Sequence, residues 1–337
     1  MSIVRRALLG LGIAMAILVG GASGADAFSV RPTDWTSSIT SITPSNANIS
    51  IDVIEGGEAL RLTAQPDHRV VLLGYQSEPY LRLTDDGSVQ ANLRSPTWWA
   101  NLDGTGTGRV PDDATADAEP EWSTIATGGS VLWHDHRIHA MQGVTEDRDW
   151  TLLLSVDDQP IEVRGRLSRL PSHSPLPELV LAIVCAGAVV ALGFKNAWST
   201  SLGATVVASA LALLVAVGSW TATPNGFSYP WLMVLTALAS VALGLVGIVL
   251  RHSTRRRRLP AITGTLAFLA WWVALMYPAV TAAFVPSSLP EVVIRYSIAL
   301  VAGAVVGVAI IVIITGGFTD ITQPTQAEAT DRTETSA

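Results

Sequence analysis

The densest chemistry in the chain lies in nine residues, Trp133-His134-Asp135-His136-Arg137-Ile138-His139-Ala140-Met141. Half of the six histidines fall here, and a methionine follows at once. Imidazole nitrogen with thioether sulfur is a ligand set that copper favours, whereas zinc more often combines His with Cys or carboxylate. On an extended strand His134 and His136 project to one face, as two ligands of one ion must. His139 and Met141 have the opposite parity, so a turn or bulge is needed to bring them in. The pattern nominates His134, His136, His139 and Met141 as metal ligands, with copper the favoured ion. The same run also suits a structural corner, with imidazoles bonded to backbone carbonyls and arginine to an acidic turn. Asp135 and Arg137 are expected to face away and to pair with neighbouring groups. His68 and His173 are not tied to the cluster by any spacing.

Other chemistry is sparse. There is no Gly-x-Ser-x-Gly elbow, no His-Glu-x-x-His, no phosphate loop and no Gly-x-Gly-x-x-Gly, so no catalytic signature marks an enzyme. Glu78 and Asp135 have no spacing that sets them as a glycosidase pair. Tyr75, Tyr80, Trp98, Trp99, Trp122 and Trp133 allow either a glycan-stacking groove or an ordinary core and rim. The alternative to metal binding is therefore a non-catalytic interaction module for an envelope protein or glycan, with the histidines structural.

The elements that must position these residues divide sharply in composition. The chain is 49% hydrophobic and 15% charged, against about 25% charge in ordinary soluble chains, which points to lipid. From Phe28 to Leu176, 11 Arg and no Lys face 21 Asp plus Glu, a balance of 11 − 21 = −10. With a net charge of −7 overall, nucleic acid is disfavoured as a partner. Residues 1–27 read as a signal peptide: Arg5 and Arg6, an apolar stretch from Ala7 to Ala22, then Ala25-Asp26-Ala27. Residues 28–170 read as an extracytoplasmic all-β, sandwich-like domain. Period-two runs at 49–54 and 59–63 flank Glu55-Gly56-Gly57-Glu58, and runs at 80–84 and 88–92 flank Asp85-Asp86-Gly87. A third pair, 150–156 and 161–167, surrounds Asp157-Asp158-Gln159-Pro160, and 69–75 reads as a buried strand. Residues 101–120 read as a long exposed loop. The sole cysteine, Cys185, falls in a helix, so the β domain has no disulfide.

A Pro-rich linker, 171–177, leads to five apolar stretches at about 178–194, 203–220, 229–250, 261–284 and 296–316. Each nears or exceeds the ~20 residues that cross a bilayer, giving an all-α membrane bundle. Arg251 and Arg255–Arg258 place their loop in the cytoplasm by the positive-inside rule, the β domain outside, and the 317–337 tail, read as disordered, inside. Ionisable residues are nearly absent from the spans, which favours a scaffold over a transporter. Glu291 and Arg295, four apart, are expected to pair. Gly203, Gly244, Gly247, Gly303 and Gly307 are expected at close helix contacts.

Trp133–Met141, together with Gly74-Tyr75-Gln76-Ser77-Glu78-Pro79-Tyr80-Leu81-Arg82 and Asn92-Leu93-Arg94-Ser95-Pro96, resembles a group of uncharacterised actinobacterial membrane proteins. These share a signal peptide, a Gly-Tyr-x-x-Glu-Pro-Tyr-Leu-Arg segment, a Trp-His-Asp-His-Arg-x-His-Trp-Met segment and C-terminal membrane helices. Ala140 stands here where the group has tryptophan. The resemblance implies the architecture above and brings no activity with it.

Overall fold

A computed structural model of the chain describes residues 31–102, 109–141, 143–224 and 229–315. The signal segment and the C-terminal tail lie outside the described residues.

Alternating apolar residues build a two-layer β domain. The larger sheet has seven antiparallel strands in the order β1-β10-β9-β4-β5-β6-β7. They are β1 (Trp35–Thr43), β4 (Val70–Leu73), β5 (Pro79–Leu83), β6 (Ser88–Asn92), β7 (Trp122–Thr127), β9 (Arg148–Val156) and β10 (Gln159–Arg169). The smaller sheet is β2-β3-β8, from Ile49–Ile54, Ala59–Ala64 and Ser130–Trp133. In β9, Trp150, Leu152, Leu154 and Val156 alternate inward, and in β10 Ile161, Val163 and Leu167 do the same. They meet Leu60, Leu62, Val131 and Trp133 of the small sheet in one buried core. Each fully buried aliphatic side chain stabilises the fold by about 1.5–3 kcal/mol. The β9–β10 turn is Asp157-Asp158, both at positive φ, as a two-residue turn between twisted strands requires.

Three strands and one helix go beyond the sequence expectation: β1, β7, β8 and a five-residue α1 (Pro96–Ala100). Gly128 and Gly129, both at positive φ, carry the chain from β7 in the large sheet to β8 in the small one. The described parts of the 101–120 loop are tethered rather than loose, because Arg94 pairs with Asp113 and Glu121 at 3.0 Å each.

Five helices follow: α2 (Leu176–Gly193), α3 (Ala197–Ala222), α4 (Trp231–Val249), α5 (Arg255–Thr281) and α6 (Glu291–Ile314). All five are long and apolar enough to cross a membrane, and the protein is a multi-pass membrane protein. Gly303 and Gly307 let α6 lie against α2; a Cβ at Gly303 would come within 2.5 Å of the Ala182 carbonyl oxygen. Gly247 plays the same part against Leu202, whereas Gly203 faces open space and Gly244 makes only an ordinary contact. The Glu291–Arg295 pair forms at 3.0 Å, and Arg295 also donates to the Ala279 and Ala282 carbonyls at the end of α5.

The β domain rests on the α5–α6 connection. Thr33 and Phe284 exchange backbone hydrogen bonds of 3.0 and 2.9 Å. Asp34 accepts from the Ala283 backbone N–H at 2.8 Å and from the Ser172 hydroxyl at 2.5 Å. The His173 N–H donates to the Thr281 carbonyl at 2.9 Å.

Candidate functional site

Strand β8 ends at Trp133, so the histidines do not continue it as a strand; they occupy the connection that returns to β9 in the other sheet. A tight turn, closed by the Ile138 N–H on the Asp135 carbonyl at 3.1 Å, supplies the reversal that the parity of His139 demands. Asp135 and Arg137 hold this turn by pairing with each other. Asp135 is fully buried; its Oδ1 accepts from the Arg137 backbone N–H and Nε at 3.0 and 2.9 Å. Its Oδ2 accepts from Arg137 Nη2 at 2.8 Å and Trp133 Nε1 at 3.2 Å. Burial alone pushes the Asp135 carboxyl up, but the Arg137 charge and these hydrogen bonds outweigh it and hold the group below its ordinary range. Arg137 also lies over the Tyr75 ring, 5.0 Å from its centroid. Arg148 then spans the loop, donating to the His136 and His139 carbonyls at 2.9 and 2.7 Å.

Held in this way, the three imidazoles converge. The His134 ring centroid lies 5.0 Å from that of His136 and 5.1 Å from that of His139. His134 is 5% exposed, and its Nδ1 meets the Glu58 backbone carbonyl at 2.8 Å, which makes Nδ1 the protonated nitrogen of the neutral ring. His139 Nδ1 lies 4.0 Å from Oε2 of the buried Glu58 side chain. Burial pushes His134 and His139 down to about 4, with neighbouring histidines, and Arg148 beside His139, adding to the effect. Burial pushes Glu58 up to about 7, partly offset by the charge of Arg31. At neutral pH the cluster therefore presents uncharged His134 and His139 rings, the form a metal requires.

Glu58 is the residue the sequence reading missed. It stands 76 positions before His134 and directly after two glycines at positive φ, in what reads as an exposed acidic turn. Met141 enters the turn through its backbone, its N–H on the His139 carbonyl at 3.1 Å. His68 lies elsewhere, against Asp157 at 2.7 Å, and His173 pairs with Glu178 at 3.0 Å. Among the described residues, no group of three or more His, Cys, Asp or Glu side chains stands ready-made around one ion position. A metal here would need the half-buried His136 and His139 rings to rotate.

Glu78 has a structural part. It accepts from the Ser95 hydroxyl at 2.8 Å, the Thr97 N–H at 3.2 Å and the Gln76 N–H at 3.0 Å. Its carboxylate thus fastens α1 to the β4–β5 turn. Of the six aromatics, Tyr80 and Trp133 are core, Trp98 packs against it, Trp122 lies under Arg82 at 4.3 Å, Trp99 Nε1 donates to the Leu93 carbonyl at 2.8 Å, and Tyr75 is exposed. The chain matches no family model, no curated protein and no solved structure.

Proposed function

We propose that this is a membrane-anchored envelope protein whose β domain binds a metal ion, copper in first place, through His134, His136 and His139, with Met141 as the adjoining sulfur donor. The observation that carries the reading is the convergence of three imidazoles. Two rings bound through nitrogen to one tetrahedral ion at about 2.0–2.1 Å have centroids about 5 Å apart. The spacings here are 5.0 and 5.1 Å. The Glu58 carbonyl on His134 Nδ1 leaves Nε2 as the ligating lone pair, the orientation that an outer-shell acceptor gives a metal-bound histidine. The bundle is the anchor. By the basic loop at 251–258 the β domain faces outward and the 317–337 tail inward, with residues 1–27 as export signal.

A second reading has its own support. His134 bonds to the Glu58 carbonyl, and ring pairs at 5 Å also fit edge-to-face stacking. On that reading the histidines are a structural corner in an envelope interaction module. Metal titration of the purified full-length protein with Cu(I), Cu(II) and Zn(II) separates the two. Metal binding predicts one ion per chain at micromolar affinity or tighter, lost in a folded H134A/H136A variant. Equal binding by wild type and variant would overturn it and direct the search to envelope partners by crosslinking.

A further inference from the structure

A second feature, independent of the histidines, lies at the far end of the bundle. Helix α2 starts beneath the β domain, so its C-terminus, the start of α3, the end of α4 and the start of α5 gather at the opposite face. There Trp198, Ser199 and Leu202 of α3, Gly247 of α4, Arg251 and then Arg258 and Ile262 of α5 line a small open cleft. The Arg258 guanidinium is held over the Trp198 ring, 4.8 Å from its centroid, and Nη1 donates to the Arg251 carbonyl at 3.1 Å. Its Nε is buried and has no hydrogen-bond partner among the described residues. A buried donor on a cation costs free energy unless an acceptor fills the site.

The bundle supplies no such acceptor in the form of a carboxylate. Between Glu178 and Glu291 there is no Asp or Glu at all, while Lys195, Arg251 and Arg255–Arg258 bring six positive charges. A charged acceptor for this guanidinium has to come from outside the bundle, and the surroundings of the cleft favour one kind. The face of α3 that continues from Ser199 and Leu202 is apolar and uncovered: Gly203 faces open space and Val207 is 61% exposed. A phosphate among arginines with an apolar wall running into the bilayer fits an amphiphile better than a free ion.

We infer that the cleft between Trp198, Arg251 and Arg258 is a binding site for the phosphate of an anionic phospholipid, whose acyl chains lie along α3. The test is native mass spectrometry of the full-length protein in detergent with added phosphatidylglycerol or phosphatidylcholine. Phosphatidylglycerol is expected to stay bound at collision energies that strip phosphatidylcholine. An R251Q/R258Q variant should retain about tenfold less of it. R257Q, which alters an exposed arginine outside the cleft, should retain as much as wild type. Equal retention of the two lipids by the wild-type protein would overturn the inference, and that comparison needs no variant to fold. So would full retention by the double variant, or displacement of the lipid by millimolar inorganic phosphate, which would mark a free-anion site. A large gain in lipid on deleting 317–337 would assign the cleft instead to the tail carboxylates.

Discussion

Replacing Asp135 by Asn tests the ion pair on which the histidine turn is built. The carboxylate is fully buried and takes four donors, three of them from Arg137, whose side chain is 18% exposed. Asparagine keeps the shape, but one oxygen becomes an amide NH₂ that must face donors. Arg137 is left without its counter-charge. Removing one partner of a buried pair costs about 3–5 kcal/mol. At roughly 2–4 °C per kcal/mol for a domain of this size, the β-domain transition should fall by about 10 °C. Thermal unfolding followed by tryptophan fluorescence on the full-length protein reads the shift. D135N/R137M removes the stranded cation as well and should recover about half of the loss, since a pair replaced by apolar groups is far less costly than a broken one. A D135N shift under about 3 °C would refute the argument, as would a double variant that unfolds well below D135N.

The remaining expectations concern pH and packing. His134 and His139 have folded values of about 4, below the ordinary 6.5, so their contribution is complete above 6.5 and is lost as pH falls toward 4. Glu58, at about 7, runs the other way: its contribution is complete below 4.5 and is lost as pH rises through 7. Two upward slopes against one downward leave a net gain of about 1.4 kcal/mol per pH unit from 4.5 to 6.5 in the metal-free protein, measurable by unfolding at several pH values. E58Q should steepen that slope; an unchanged slope would remove Glu58 from the account. Gly165→Ala puts a Cβ 2.0 Å from Trp150 and 2.4 Å from the Ser38 carbonyl oxygen, and should cost at least about 1–3 kcal/mol on the same assay. Gly303→Ile should force α2 off α6 and lower the yield of monodisperse protein in detergent, with Gly203→Ile, in open space, as the tolerant control.

What was legible in the sequence follows the physics of each element. Strands β3, β9 and β10 bury alternate side chains deeply, so their period shows. β1 and β7 are the two edges of the large sheet, where Trp35-Thr-Ser-Ser-Ile-Thr-Ser-Ile-Thr43 needs only one shallow inward face and loses its contrast. The five residues of α1 are too few to show a helical period, and its Ser95 cap and Glu78 anchor are tertiary. The apolar spans mark the helices but miss their ends. α3 begins at Ala197 on the Asn196 cap, and α5 begins among arginines, which are good helix formers without being apolar. In the site, clustering in sequence made the histidines visible. Glu58 was hidden because only the fold removes it from water and brings it to His139.

The seat of the β domain on the α5–α6 connection has a mechanical consequence. A domain hung on one linker swings through a wide cone and meets partners at many heights above the lipid. This one is pinned through Thr33 and Asp34 just ahead of its first strand, through His173 on its exit, and through Gly56, whose Cβ position lies 3.0 Å from the Phe284 ring. Three separated fastenings fix both standing height and bearing. The turn that carries Gly56 also carries Glu58, so the histidine cluster keeps a set elevation and turns only when the whole bundle spins in the plane of the bilayer.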